Sequence, residues 1–89
     1  MPAVSLNSFA NSNFWQALNS LPPEIQRLAR KSFKLWQENP WHPLLHFKRV
    51  GKYWSARVGI SYRALATKRG DDFIWFWIGD HDSYQRIIK

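Results

Sequence analysis

The chain has no cysteine, which excludes a disulfide framework and a thiolate zinc site and fits a reducing compartment. It also lacks a long hydrophobic run. The longest, residues 73–78, falls far short of the roughly 20 residues that a membrane-spanning helix needs. The first residues, Met1 to Leu6, offer neither a basic start nor an extended apolar stretch, so no leader peptide is expected. A soluble, cytoplasmic protein is the reading. Acids are scarce: six Asp and Glu stand against thirteen Lys and Arg, for a formal charge of +7. Such an excess on a small body attracts nucleic acid or an acidic protein partner. Composition does not choose between them. No internal repeat, low-complexity segment or linker occurs, so residues 1–89 are read as one domain.

What the chain does have is aromatic side chains: six Trp, six Phe and three Tyr. A chain this short buries only roughly 60–65% of its unfolded surface. Large rings, each removing on the order of 150–250 Å² from water, compensate for that small core.

Val4, Leu6 and Phe9 suggest a short opening strand. Asn11 or Ser12 is placed to cap a helix whose inner face carries Phe14, Trp15, Leu18 and Leu21. Pro22 breaks that helix, Pro23 suits the first turn of the next, and Glu24 favours its positive end. In the second helix Ile25, Leu28, Ala29, Phe33 and Trp36 recur at three- and four-residue spacing, with Arg27, Arg30, Lys31 and Lys34 on the remainder. Pro40 and Pro43 end it.

From residue 45 the period switches from helical to alternating. Four strands follow, over 45–50, 53–58, 62–67 and 73–78, joined by turns at Gly51, Gly59 and Gly70. Turns so short require an antiparallel meander. The fold class is therefore α+β: two N-terminal helices on one face of a curved, mainly antiparallel sheet of four to five strands. The other face is expected to stay open. Trp75 and Trp77 are expected to share one face of the last strand and to pack there.

Arg57 and Arg63 fall on adjacent strands, where two planar guanidinium forks suit one phosphate. Lys48, Arg49 and Lys52 add positive charge nearby and are read as RNA-binding. His81 stands just past the last strand between Asp80 and Asp82, either as a proton-transfer group or in a turn that one of those acids caps. Tyr84, three residues on, faces the same side of a turn or short helix and can stack on a base or bond a phosphate. His42 and His46 stand four residues apart, but His42 lies between two prolines and reads as loop, so no metal and no cofactor is expected.

The order of Leu21-Pro22-Pro23-Glu24-Ile25, Asn39-Pro40-Trp41-His42-Pro43-Leu44, Tyr62-Arg63-Ala64 and Gly79-Asp80-His81-Asp82-Ser83-Tyr84 resembles the RelE/ParE superfamily of type II toxins. The resemblance runs from about Phe14 onward. It implies a toxin held inactive by an antitoxin. RelE-type members cleave mRNA, mostly on the ribosome, ParE-type members block DNA gyrase with the same fold, and an inactive relative would only bind its antitoxin. Carried over, Arg63 and Arg57 would stabilise the phosphate, His81 would transfer a proton, and Tyr84 would orient the nucleotide. Where lysine-rich members add a further cation on the middle strand, this chain has Ser55. The implied partners are an acidic, partly disordered antitoxin segment, mRNA and the ribosome.

Overall fold

The computed structural model describes residues 7–89. Strand β1 (Asn7–Ala10) leads into α1 (Ser12–Asn19) and α2 (Pro23–Glu38). After one 3-10 turn at Pro43–Leu45 come β2 (Lys48–Val50), β3 (Tyr53–Val58), β4 (Tyr62–Arg69), β5 (Asp72–Asp80) and α3 (His81–Ile88). The five strands form one sheet in the order β1-β5-β4-β3-β2. Only the β1–β5 pairing is parallel. The α+β meander expected from the alternation is what the chain adopts. Val4 and Leu6, expected in the opening strand, lie outside the described residues.

Local chemistry accounts for the element ends. The Asn11 side chain accepts from the Phe14 amide at 3.0 Å and caps α1. Pro23 occupies the first turn of α2, where its missing N–H costs nothing, and Glu24 lies at the positive end of that helix. The turns at Gly51, Gly59 and Gly70 all take positive φ, which glycine adopts without a Cβ clash.

Helices α1 and α2 lie on one face of the sheet. Phe14 and Leu18 from α1, with Ala29 and Trp36 from α2, are buried against Ala56, Val58, Ala64, Ala66, Phe73, Trp75 and Ile78. Trp15, expected on the inner face, is 49% exposed and meets Phe14 edge-on at its rim. Trp36 is the hub. Its ring packs edge-to-face against Phe47, Phe73 and Trp75 at centroid distances of 5.5, 5.5 and 5.6 Å. Each such pair adds about 0.5–1.5 kcal/mol beyond area burial. The Trp75 indole N–H donates to the Ser8 hydroxyl at 2.9 Å, fastening β1 to the same cluster.

Three expectations need correction. The strand read from residue 45 starts only at Lys48, because 43–45 form the 3-10 turn and His46 closes it in the left-handed region at φ 44°. Trp75 and Trp77 do not share a face. A bulge between Leu65 and Ala66 pairs Trp77 with Leu65 and Trp75 with Ala66, so the two rings point to opposite sides. Nor does the second face stay open. Helix α3 packs on it and buries Tyr84 to 3% exposure.

Replacing the hub tests this packing. Trp36→Ala is expected to cost about 3–5 kcal/mol, the range for deleting a large buried ring. Urea unfolding should show a correspondingly lower midpoint, and a loss below about 1 kcal/mol would mean that Trp36 is not the hub.

Candidate active site

Strand alternation sorts the charged side chains. Trp54, Ala56 and Val58 face the helices, so Ser55 and Arg57 face the other way. Arg57 and Arg63 are direct cross-strand partners, and Arg63 in turn lies opposite Gly79 of β5. Like charges so placed repel across a sheet whose opposed Cβ atoms are about 4.5–5.5 Å apart. Among the described residues neither guanidinium meets a carboxylate. Their partners are neutral acceptors instead. Arg57 Nε donates to the Gly59 carbonyl at 2.9 Å, and its Nη1 lies 3.3 Å from His46 Nε2. Arg63 Nη1 donates to the Ser55 hydroxyl at 3.3 Å. The positive charge is held in place but not neutralised.

Helix α3 supplies the rest. Asp80 caps it by accepting from the Ser83 amide at 2.8 Å. The His81 amide donates to the Ser61 carbonyl at 2.9 Å, tying the helix start to the β3–β4 turn. His81 therefore begins a helix, and its exposed ring meets the Gln85 amide nitrogen at 3.2 Å through Nε2. Tyr84, one turn later, stands 5.8 Å from the His81 ring. The Arg63 guanidinium lies over the Tyr84 ring, 5.3 Å from its centroid. Gly79 is required here: a Cβ at that position would be driven into the Trp77 ring that lies across it. Trp77 thus closes the floor beside Arg63.

Arg57, Arg63, His81 and Tyr84 therefore gather on one face, at the end of the sheet where α3 begins. Lys48 shares that face, since it pairs with Ser55. Arg49 does not: it pairs with Trp54, on the helix side, and its Nε donates to the Gly51 carbonyl. Lys52 lies over Tyr53, at the opposite end of β3 from Arg57. Two neighbours were not among the expected site residues. Ser55 was legible, as it shares the alternation with Arg57 two residues on. His46 was not, because a left-handed histidine leaves no periodic signal.

Chemically, the cluster presents two fixed guanidinium forks for an anion and an exposed imidazole beside them. The backbone N–H and hydroxyl of Ser83 bond to Asp80 and hold its carboxyl below the usual carboxylate range. A carboxylate favoured in this way stabilises the fold above its unfolded-state titration, and that contribution is lost as pH falls through the lowered value.

A scan against protein families matches the ParE-like toxin domain over residues 23–86. The chain belongs to that family. No curated protein matches its sequence. Among solved structures, the RelB-RelE antitoxin-toxin complex from Methanococcus jannaschii aligns with a TM-score of 0.69 at 20% identity, covering 91% of this chain and 99% of that one. YafQ from E. coli aligns with a TM-score of 0.70 at 9% identity, covering 88% and 96%. The toxin-antitoxin complex RelBE2 from Mycobacterium tuberculosis gives 0.65 at 19% identity, covering 88% and 100%. At these identities the matches establish the RelE-like fold. Among the described residues, no helix is long and apolar enough to cross a membrane.

Two measurements check the site. Asp80→Ala should lower the melting temperature at neutral pH, and its gap from the parent should close below pH about 4, where free carboxylates are protonated. An unchanged gap at low pH would mean that the cap does not act through its charge. Inorganic phosphate should raise the melting temperature of the parent by mass action, and Arg63→Gln should lose most of that rise. Equal rises in both proteins would mean that the arginine pair does not hold an anion.

Proposed function

We propose that this toxin-family domain is an endoribonuclease that cuts mRNA in association with the ribosome and so inhibits translation. The observation that carries the reading is the un-neutralised Arg57–Arg63 pair beside the His81–Tyr84 pair. Cleavage by the RNA's own 2′-hydroxyl needs cations for the extra charge on the phosphorane and a group that moves a proton at neutral pH. Arg57 and Arg63 serve the first need and His81 the second. Tyr84 is buried beneath Arg63, so its role is to orient that guanidinium. Lys48 extends the cationic surface along the same face, where it follows the RNA backbone. No cofactor enters the scheme.

A charge of +7 also suits an acidic antitoxin segment that covers this face and neutralises it. The M. jannaschii and M. tuberculosis matches are complexes of a toxin with its antitoxin, which supports a partner of that kind. A second reading, a DNA gyrase inhibitor without nuclease chemistry, is favoured by the ParE-like description of the family.

Purified protein added to translating ribosomes should cut the message at mappable ends. His81→Ala and Arg63→Ala should each slow cutting by about 10²–10⁴-fold. Cutting that survives both substitutions would remove the site assignment. An intact message beside inhibited gyrase supercoiling would establish the second reading instead.

A further inference from the structure

Transesterification at phosphorus moves two protons: one leaves the attacking 2′-hydroxyl and one arrives at the departing 5′-oxygen. His81 accounts for a single transfer. From the geometry around Arg57 we infer that His46 is a catalytic residue for the other, the base that takes the 2′-hydroxyl proton. The inference rests on the nuclease reading.

Three observations converge on His46. Its Nε2 lies 3.3 Å from Arg57 Nη1, and its ring is in an exposed residue. A guanidinium only donates, so in this contact the imidazole nitrogen accepts and offers a lone pair. Next, the β2–β3 register of Lys48 with Ser55, extended two residues, brings His46 level with Arg57. Arg57 is level with Arg63, and Arg63 with Gly79, two residues before His81. The histidines thus stand at opposite ends of one row, His46 on the β2 side of the arginine pair and His81 on the β5 side. Last, His46 is the only non-glycine residue with positive φ among the described residues. Such a backbone is uncommon for residues other than glycine, with Asn, Asp and His adopting it more often than the rest. Here it turns the chain out of the 3-10 turn and brings the ring against Arg57. Phe47, buried against Trp36, fixes the chain just after it. His42, the other histidine of this segment, is occupied differently: its Nδ1 accepts from the Leu44 amide at 3.2 Å and caps the turn.

A phosphodiester draws the Arg57 fork to its own oxygens and frees His46 Nε2, which accepts the 2′-hydroxyl proton. The 2′-oxygen forms its bond to phosphorus as the bond from phosphorus to the 5′-oxygen breaks. His81, protonated, donates to that 5′-oxygen. The products are a 2′,3′-cyclic phosphate and a 5′-hydroxyl, and the two imidazoles exchange their protons with water afterwards.

The test uses the full chain and His46→Gly, which keeps the left-handed backbone free of strain. His42→Asn, which retains a capping side chain, serves as the control and should cut RNA at the parent rate. His46→Gly should fold with a melting temperature at or above the parent's and slow cutting by about 10²–10⁴-fold. Free imidazole should restore its rate in proportion to concentration, and more strongly as pH rises through imidazole's titration. Arg57, from β3, is the charged side chain that meets His46, and Lys48 lies two residues on, so His46→Gly leaves both in place. A folded but slow His46→Gly that imidazole fails to rescue would assign His46 a structural role and overturn the proposal. Parent-like cutting by His46→Gly, with His81→Ala inactive, would overturn it while leaving the nuclease reading intact. A parent protein that leaves RNA uncut would overturn both.

Discussion

The edge-to-face packing of Trp36 is the constraint on which the remaining structure depends. One indole, 1% exposed, touches rings from β5 and from the segment before β2, so it fixes α2, the sheet and the 3-10 turn relative to one another. Its N–H has no acceptor among the described residues, a cost on the order of 1–3 kcal/mol. Burial of so large a ring and three favourable quadrupole contacts offset that cost. The consequence reaches the other side of the sheet. Phe47 is pinned by this cluster, and the residue before it must adopt whatever backbone connects it to the turn.

The sheet then converts register into chemistry. Arg57 and Arg63 are brought together by pairing, although the pairing itself is electrostatically unfavourable. Conflicts of this kind between local preference and global fold concentrate where a protein works. The bulge at Leu65 acts in the same direction. By placing Trp77 on the α3 side and Trp75 on the α2 side, it lets one strand serve two cores. Leu65, Tyr84 and Ser55 are fully or nearly fully buried on the site side, so the arginines lie over packed side chains and not over a void.

Much of this was readable from the residues alone. The switch from a helical to an alternating period after Pro43 located the sheet, and the three glycine turns fixed the order of its antiparallel strands. That order placed Arg57 next to Arg63. The features that escaped are those that break a period. A bulge shifts alternation without marking it in the composition, so Trp77 was assigned to the wrong face. The 3-10 turn mimics the start of a strand because Leu45 and Phe47 alternate as strand residues would. Helix α3 is short and appeared as a capped turn, and only its contact with Arg63 reveals that it closes the second face. The opposite direction of Arg49 comes from a pairing with Trp54 that no local pattern specifies.

The parallel pairing of β1 with β5 bears on the order of events in folding. These two strands are separated by most of the chain, and a contact between them closes a loop of roughly 60 residues, an expensive and slow step compared with local turns. The meander of β2 to β4 and the helix pair can form early from neighbouring segments, but Trp75, Gly79 and His81 all arrive with β5 and α3. A nascent or truncated chain lacking that last stretch has its cations without its imidazole at position 81. The candidate site is therefore completed only when the last strand and helix take their places.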